Sequence, residues 1–204
     1  MTTDTEYPLT TTPYAEHTAR LTRELTAALT TLDDDAALAG RVREVAAELA
    51  RTSAAPQDVT VDDPFPQSVY VSTGINPIAS ARNPIAPPMP IRYEGDIAVG
   101  EASLPLQYQG PPNRVHGGII AACFDQVAGA AAHVGGRRPS YTRELTITYD
   151  AATPLNTPLV FRGWIDREEG RKRFMAAEVS AGGQITARAH GLWIAPRDPA
   201  DFGK

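Results

Sequence analysis

The sequence predicts an α+β fold in which an antiparallel sheet packs around one long helix. Residues 117–134 form a largely apolar run of helical character, and four strand-like runs follow it. These runs are "SYTRELTITYD", "PLVFRGWID", "KRFMAAEVS" and "QITARAHGLWIA". A single helix followed by strands that short turns connect is typical of a sheet packed on that helix.

The strand assignments depend on alternation and on turn residues. The first run places Leu145, Ile147 and Tyr149 on one face, with Thr142, Glu144, Thr146 and Thr148 on the other. The turns Glu168-Glu169-Gly170 and Gly182-Gly183 predict that the next three runs form an antiparallel meander. Residues 91–108 predict two further extended segments around a turn at Val99-Gly100-Glu101.

Two helical patterns precede this domain. Apolar residues at helical spacing are Tyr14, Leu21, Leu25, Ala28, Leu29 and Leu32 in the first, and Leu38, Val42, Val45, Ala46 and Leu49 in the second. Asp33-Asp34-Asp35 supplies an N-cap for the second helix. We therefore divide the chain into an N-terminal tail and helical hairpin (1–55), a proline-rich wrapping segment (56–90), the α+β domain (91–196) and a C-terminal tail (197–204).

Composition excludes several classes of protein. The chain has 204 residues and a net charge of −5, which gives no field favouring nucleic acid. Its single cysteine, Cys123, rules out an intrachain disulfide and fits a reducing cytoplasm. We expect no signal peptide, because the N-terminus is polar and acidic. We also expect no membrane span, because no apolar run approaches roughly 20 residues.

One carboxylate in the long helix stands out. The i±3 and i±4 neighbours of Asp125 are all small: Ala121, Ala122, Ala128 and Gly129. Such neighbours leave a shallow trough in which a ligand or a second backbone can approach the acid. At the helix entrance, Gly117 and Gly118 offer backbone N–H groups to a substrate oxygen, which is the chemistry of an oxyanion hole.

The helix geometry constrains how these groups could act together. Gly117 and Asp125 are eight residues apart, which is about 12 Å along one helix at 1.5 Å per residue. They cannot act on the same carbonyl carbon within one chain. If both are catalytic, each site takes Gly117 from one subunit and Asp125 from another, which predicts a homodimer with two shared sites.

The segments "VHGGIIAACFDQVAG" and "YTRELTITYDAATPL" resemble the hotdog-fold acyl-CoA thioesterases, specifically the phenylacetic-acid-pathway (PaaI-like) branch. The shared pattern is an HGG motif with an acid nine residues after the histidine, here His116 and Asp125. The resemblance covers roughly residues 90–196. It implies a hotdog fold, in which the antiparallel sheet wraps around the long central helix, with the N-terminal helices as an extension.

The resemblance also implies roles for individual residues. Asp125 is the general base or nucleophile, and the Gly117 N–H of the partner subunit is the oxyanion donor. His116 shapes the turn and contacts the thioester region, and Thr142 orients water or the acid. Gly118 and Asn113 are expected to contact the substrate, with Gln109 as the alternative polar helper. Coenzyme A phosphates are expected to contact Arg171, Lys172 and Arg173, with Arg137 and Arg138 nearby.

Simpler interpretations remain for the same residues. Asp125 would form hydrogen bonds at an interface, and Arg171, Lys172 and Arg173 would lie on a solvated surface. The domain would then be a non-catalytic acyl-CoA-binding dimer, or a dimerisation unit whose N-terminal helices recruit a partner. We expect a homodimer or dimer of dimers, and no cofactor. We also expect no metal ion, because His17, His133 and His190 have no partners at metal-ligand spacing. Cys123 is expected to pack in the core.

Overall fold

The computed structural model describes residues 13–29, 36–52, 76–87 and 89–198. Several expectations therefore lie outside the described residues. These are the N-terminal tail, Leu32, the acidic cap at 33–35, most of the proline-rich segment and the end of the C-terminal tail.

The described residues contain three α-helices: α1 (Pro13–Leu29), α2 (Ala36–Thr52) and α3 (Gly117–Ala131). The two N-terminal helices and the long central helix are confirmed. Part of the N-terminal apolar stripe remains exposed, with Leu21, Leu25, Val45 and Leu49 each more than a third accessible. None of the described helices is long and apolar enough to cross a membrane.

The described strands form one antiparallel sheet of six, in the order β1-β2-β4-β5-β6-β3. Their bounds are β1 Ile91–Glu94, β2 Ile97–Ser103, β3 Tyr141–Tyr149, β4 Pro158–Glu169, β5 Lys172–Ala181 and β6 Gln184–Ile194. The β4-β5-β6 meander is confirmed, with its second turn at Gly182-Gly183 as predicted. The first turn is at Gly170-Arg171, because Glu168 and Glu169 are still paired in β4. β3 is not the neighbour of β4, however, because it pairs only with β6 and forms one edge of the sheet.

The first turn of the sheet lies elsewhere than the sequence indicated. We expected it at Val99-Gly100-Glu101, but these residues lie inside β2. The chain turns instead at Gly95, whose φ of 62° favours glycine. Gly100 serves close packing, since a Cβ there would lie 2.7 Å from the Met89 sulfur.

The core is formed where α3 lies across the sheet. A Cβ on Gly163 of β4 would come within 2.9 Å of the Val127 carbonyl oxygen, so glycine allows the helix backbone to approach the strand. Phe124 meets Phe161 edge to face, with ring centroids 5.7 Å apart. Cys123 is buried here, as expected, and burial raises the pKa of its thiol to about 12.

The described part of the segment before β1 is tied to the domain by polar contacts. Asn76 Nδ2 donates a 2.9 Å hydrogen bond to Gln126 Oε1 of α3, and the Tyr108 hydroxyl donates to the Ile85 carbonyl oxygen at 3.2 Å. The Arg23 side chain of α1 donates to the carbonyl oxygens of Ala81 and Asn83. Helix α1 therefore contacts the same segment that packs on the domain.

Candidate active site

The start of α3 leaves one backbone donor free. His116 is the N-cap, and its Nδ1 accepts a 2.9 Å hydrogen bond from the Gly118 N–H. The Ile119 and Ile120 N–H groups donate to the His116 carbonyl oxygen. Of the first four helical N–H groups, only that of Gly117 has no acceptor among the described residues. The predicted oxyanion donor is thus available, whereas the Gly118 N–H is already bound.

Tyr149 fixes the position of Gly117. The Tyr149 hydroxyl donates a 2.9 Å hydrogen bond to the Gly117 carbonyl oxygen. A Cβ on Gly117 would lie 3.0 Å from that hydroxyl oxygen, so glycine allows this close contact. Gly117 and Gly118 also line a cavity of about 460 Å³, which gives a ligand access to the free N–H.

The other half of the predicted chemistry lies two turns further along α3. Asp125 is exposed, and its Oδ1 accepts a 2.8 Å hydrogen bond from the Thr142 hydroxyl at the start of β3. The structure thus brings these two predicted residues into direct contact. It does not bring Asp125 to Gly117, since the helix keeps them about 12 Å apart.

The end of α3 is anchored next to this pair. His133 Nδ1 bonds to the Gly129 carbonyl oxygen at 2.6 Å, and Nε2 accepts from the Ser140 N–H at 3.0 Å. With Nε2 as an acceptor, the imidazole is neutral with its proton on Nδ1. Burial, with the nearby Arg173 charge, lowers the pKa of His133. This arrangement fixes Ser140 two residues before Thr142.

The two candidates for an upstream polar helper bind each other. The Asn113 N–H donates a 3.0 Å hydrogen bond to Gln109 Oε1. Asn113 has a φ of 61°, a conformation that asparagine tolerates better than most residues. Gln109 therefore stabilises the loop before the HGG motif, while the Asn113 side chain is exposed.

The basic hairpin residues have different surroundings. Lys172 is exposed, and Arg171 is exposed but donates to the Ala195 carbonyl oxygen. Arg173 is only 7% exposed, and its guanidinium binds Glu168, Ser140 and the carbonyl oxygens of Ala132 and Arg138. Arg137 binds Glu168, and Arg138 donates to the Arg197 carbonyl oxygen. Arg173 is therefore an internal structural residue, and we correct its expected contact with coenzyme A.

Sequence reasoning missed three residues near these groups. Tyr149 was expected only as a strand residue, and Arg114 was not considered. Gln126, next to Asp125, is 7% exposed and accepts a 2.9 Å hydrogen bond from Asn76 Nδ2. The contacts of Tyr149 and Gln126 join residues distant in sequence, so no local pattern indicated them. Among the described residues, no group of three or more His, Cys, Asp or Glu side chains could hold a metal ion.

Comparison with known proteins shows what the domain is similar to. The family model described as "Thioesterase superfamily" matches residues 113–187. Residues 113–187 of this chain are therefore similar in sequence to the thioesterase superfamily. A crystal structure of a thioesterase superfamily protein matches with a TM-score of 0.78 and 27% identity, covering 88% of this chain and 90% of that one. The predicted hotdog fold is confirmed. Since residues 91–198 are little more than half of this chain, the shared structure extends N-terminal to β1.

Curated relatives match over a shorter stretch. Acyl-coenzyme A thioesterase THEM4 of Mus musculus is 36% identical over 76 residues, covering 37% of this chain and 32% of the relative. THEM4 of Xenopus laevis is 34% identical over 73 residues, covering 35% of this chain and 32% of the relative. The chain therefore spans about a third of the length of these relatives.

Proposed function

We propose that this protein hydrolyses acyl-CoA thioesters to a carboxylic acid and free coenzyme A. The observation that carries the proposal is the free Gly117 N–H, which lies at the wall of a cavity and at the start of the helix that carries Asp125. The superfamily match and the names of the THEM4 relatives support the same chemistry.

Each predicted residue has a role in this reaction. The thioester carbonyl oxygen accepts a hydrogen bond from the Gly117 N–H, which stabilises the negative charge that develops there. Asp125 takes a proton from the attacking water as general base, or attacks the carbonyl carbon itself. The carbon–sulfur bond then breaks. In the general-base route the thiolate takes back the proton that Asp125 removed from water. In the nucleophilic route the thiolate takes a proton from solvent, and water hydrolyses the acyl–Asp125 anhydride to release the acid and regenerate the carboxylate. The Thr142 hydroxyl orients the Asp125 carboxylate, and His116 orders the first turn of α3.

A dimer is needed to complete the site. Asp125 and Gly117 are about 12 Å apart within one chain, so each needs a counterpart from a second copy. β3 offers the surface for this association. It lies at the edge of the sheet, and its terminal residues Tyr141 and Tyr149 are 47% and 51% exposed. An exposed strand edge presents unpaired N–H and C=O groups to another strand.

Two-fold pairing of β3 would align the two halves. Thr142 lies near the start of β3 and Tyr149 at its end. In an antiparallel pair related by a two-fold axis, the start of each strand faces the end of the other. Asp125, bound to Thr142, then approaches the partner's Gly117, bound to the partner's Tyr149. A dimer of dimers would repeat this unit.

Several narrower assignments accompany the proposal. Arg171 and Lys172 remain candidates for the coenzyme A phosphates, and Asn113 for a further substrate contact. Thr142, at the position of a polar helper in the phenylacetic-acid-pathway branch, favours that branch. The cytoplasm is the proposed location, since a single buried cysteine fits a reducing compartment.

A panel of acyl-CoAs tests the proposal. The purified full-length chain is incubated with short, medium, long, branched and aromatic acyl-CoAs, and free thiol is measured over time. We expect saturable, catalytic thiol release from at least one class. Saturable binding without release from any member would instead favour a non-catalytic acyl-CoA-binding dimer. Removal of residues 1–55 in the same assay separates the domain's activity from any contribution of the extension.

A further inference from the structure

The cavity at the start of α3 contains one charge. Among the described residues that line its 460 Å³, Arg114 is the only charged side chain. The other lining residues are apolar, glycine, threonine or tyrosine. Arg114 thus lines a cavity beside a free backbone donor. It differs from most exposed arginines of this domain, which bind an acid or a carbonyl oxygen.

The backbone of Arg114 is fixed on both sides. Its N–H donates to the Pro111 carbonyl oxygen at 3.2 Å, and its carbonyl oxygen accepts from the Gly110 N–H at 3.0 Å. The next N–H, of Val115, donates to the Thr153 carbonyl oxygen at 2.9 Å. The Cα of Arg114 is therefore held in place relative to Gly117, so only its side chain has to become ordered when a ligand binds.

The guanidinium itself is uncommitted. Arg114 is exposed, and its side chain makes no hydrogen bond or ion pair with any described residue. Asp150, which precedes the cavity residue Ala151, is already bound by Arg188. Among the described residues of one chain, the cavity wall thus presents a free guanidinium and a free N–H with no free carboxylate beside them. In the proposed dimer the partner's Asp125 is the carboxylate that approaches this wall.

We propose that Arg114 binds an anionic group of the substrate and makes the enzyme selective for thioesters that carry a negative charge near the reacting carbonyl. This inference rests on the proposed thioesterase function. Arginine binds carboxylate and phosphate oxygens through two parallel hydrogen bonds, so either group fits its chemistry.

The reach of the side chain favours a carboxylate on the acyl group. Arg114 and Gly117 are three residues apart, so their Cα atoms are separated by at most about 10 Å. If the thioester oxygen binds the Gly117 N–H, an anion bound by Arg114 lies within the span of an acyl chain from the carbonyl carbon. The phosphates of coenzyme A lie beyond the whole pantetheine arm and reach Arg114 only if that arm folds back.

The test compares four substrates that differ in charge alone or in the coenzyme A portion alone. Hexanoyl-CoA and adipoyl-CoA have the same chain length, but only adipoyl carries a terminal carboxylate. The N-acetylcysteamine thioesters of the same two acids lack the phosphates. Each is assayed with wild type, Arg114→Met, Arg114→Lys and the control Arg82→Met, which changes an exposed arginine outside the cavity.

The pattern of losses identifies the anion. With a carboxylate ligand, Arg114→Met lowers kcat/KM roughly 10- to 100-fold on both adipoyl substrates, mainly through KM, and Arg114→Lys restores part of it. A loss on both coenzyme A esters that spares both N-acetylcysteamine esters would assign Arg114 to the phosphates and would overturn the proposed selectivity for a charge near the carbonyl. The neutral hexanoyl N-acetylcysteamine ester and the Arg82→Met control are unaffected in either case.

Two further results also overturn the proposal. One is an equal loss on all four substrates, which would mean that Arg114 serves the fold or the partner's Asp125. The other is no loss on any substrate. If wild type hydrolyses none of them, the acyl-CoA panel decides the proposed function, and binding of the non-hydrolysable thioether analogues is measured here by calorimetry. Weaker binding of the anionic analogues to Arg114→Met then supports the anion site, and equal affinity rejects it.

Discussion

The region formed by α3 and β3 has two ends, which present different functional groups. At the Gly117 end, the structure presents a free N–H, a cavity and the Arg114 guanidinium. At the Asp125 end, it presents a carboxylate oriented by Thr142. One end has donors and positive charge, and the other has the acid. Neither is a complete active site, which is why the proposed reaction depends on bringing opposite ends of two chains together.

The largest expected effect comes from the carboxylate at the Asp125 end. Asp125→Asn retains the shape and still accepts the Thr142 hydrogen bond, but it can no longer act as base or nucleophile. We expect kcat to fall roughly 10³-fold or more, with KM little changed. Asp96→Asn, in the exposed β1–β2 turn, is the matched control and should retain activity. Wild-type turnover in Asp125→Asn would show that the Asp125 carboxylate has no part in the mechanism.

The backbone donor at the other end can be removed by a single substitution. Gly117 is the first residue of α3, a position that proline favours, and His116 has a ψ of 133° that suits a following proline. Gly117→Pro deletes the N–H, so kcat should fall roughly 10²- to 10³-fold.

Gly117→Ala serves as the control for this substitution. It keeps the N–H and adds a Cβ 3.0 Å from the Tyr149 hydroxyl oxygen. Its loss should be much smaller, since that hydroxyl can shift slightly. Circular dichroism and size-exclusion chromatography establish that both variants are folded dimers. Equal kinetics of the two variants would show that the N–H has no role.

The hydrogen bond that orients the acid has a smaller effect. Thr142→Val removes the hydroxyl that donates to Asp125 while keeping a side chain of similar shape. One hydrogen bond to a charged group corresponds to about tenfold in kcat. Thr142→Ser should recover most of the loss, because it retains the donor. A Thr142→Ser variant as slow as Thr142→Val would attribute the effect to packing.

The smallest expected effect is on stability, and it comes from His133, which anchors the end of α3 near Asp125. Since the pKa of His133 is lowered in the folded state, below pH 6.5 the unfolded chain binds a proton that the folded chain does not. The free energy of unfolding should therefore fall as pH drops below 6.5, by at most about 1.4 kcal/mol per pH unit for this group.

His133→Gln provides the comparison for this titration, because its amide can bind both the Gly129 carbonyl and the Ser140 N–H but does not titrate. Urea unfolding at pH 7.5 and 5.5 should show a larger loss for wild type than for the variant. Identical pH dependence of the two proteins would mean that His133 does not contribute.

Local sequence patterns predicted those features of the α3 and β3 region that depend on one helix or one strand. The spacing of Gly117 and Asp125 follows from helical rise, and the alternation in β3 placed Thr142 apart from Leu145 and Ile147. The sequence could not show that β3 pairs with β6, because that pairing joins strands separated by the whole β4–β5 hairpin.

Non-local contacts also explain the errors. Gly100 resembled a turn residue because nothing nearby in sequence shows that Met89 packs against it. Arg173 resembled a solvated hairpin cation, but its guanidinium reaches carbonyl oxygens at the end of α3 and before β3. Tyr149 binds Gly117 across 32 residues, a contact that only the fold creates.

Complementation between the two defective halves tests the central claim most directly. Asp125→Asn and Gly117→Pro chains carrying different tags are co-expressed, and heterodimers are isolated by purification on both tags in turn. In a heterodimer with shared sites, one site has both defects and the other has none. We therefore expect about half of the wild-type activity per dimer, from two parents that are each nearly inactive. A heterodimer no more active than its parents would contradict the shared site.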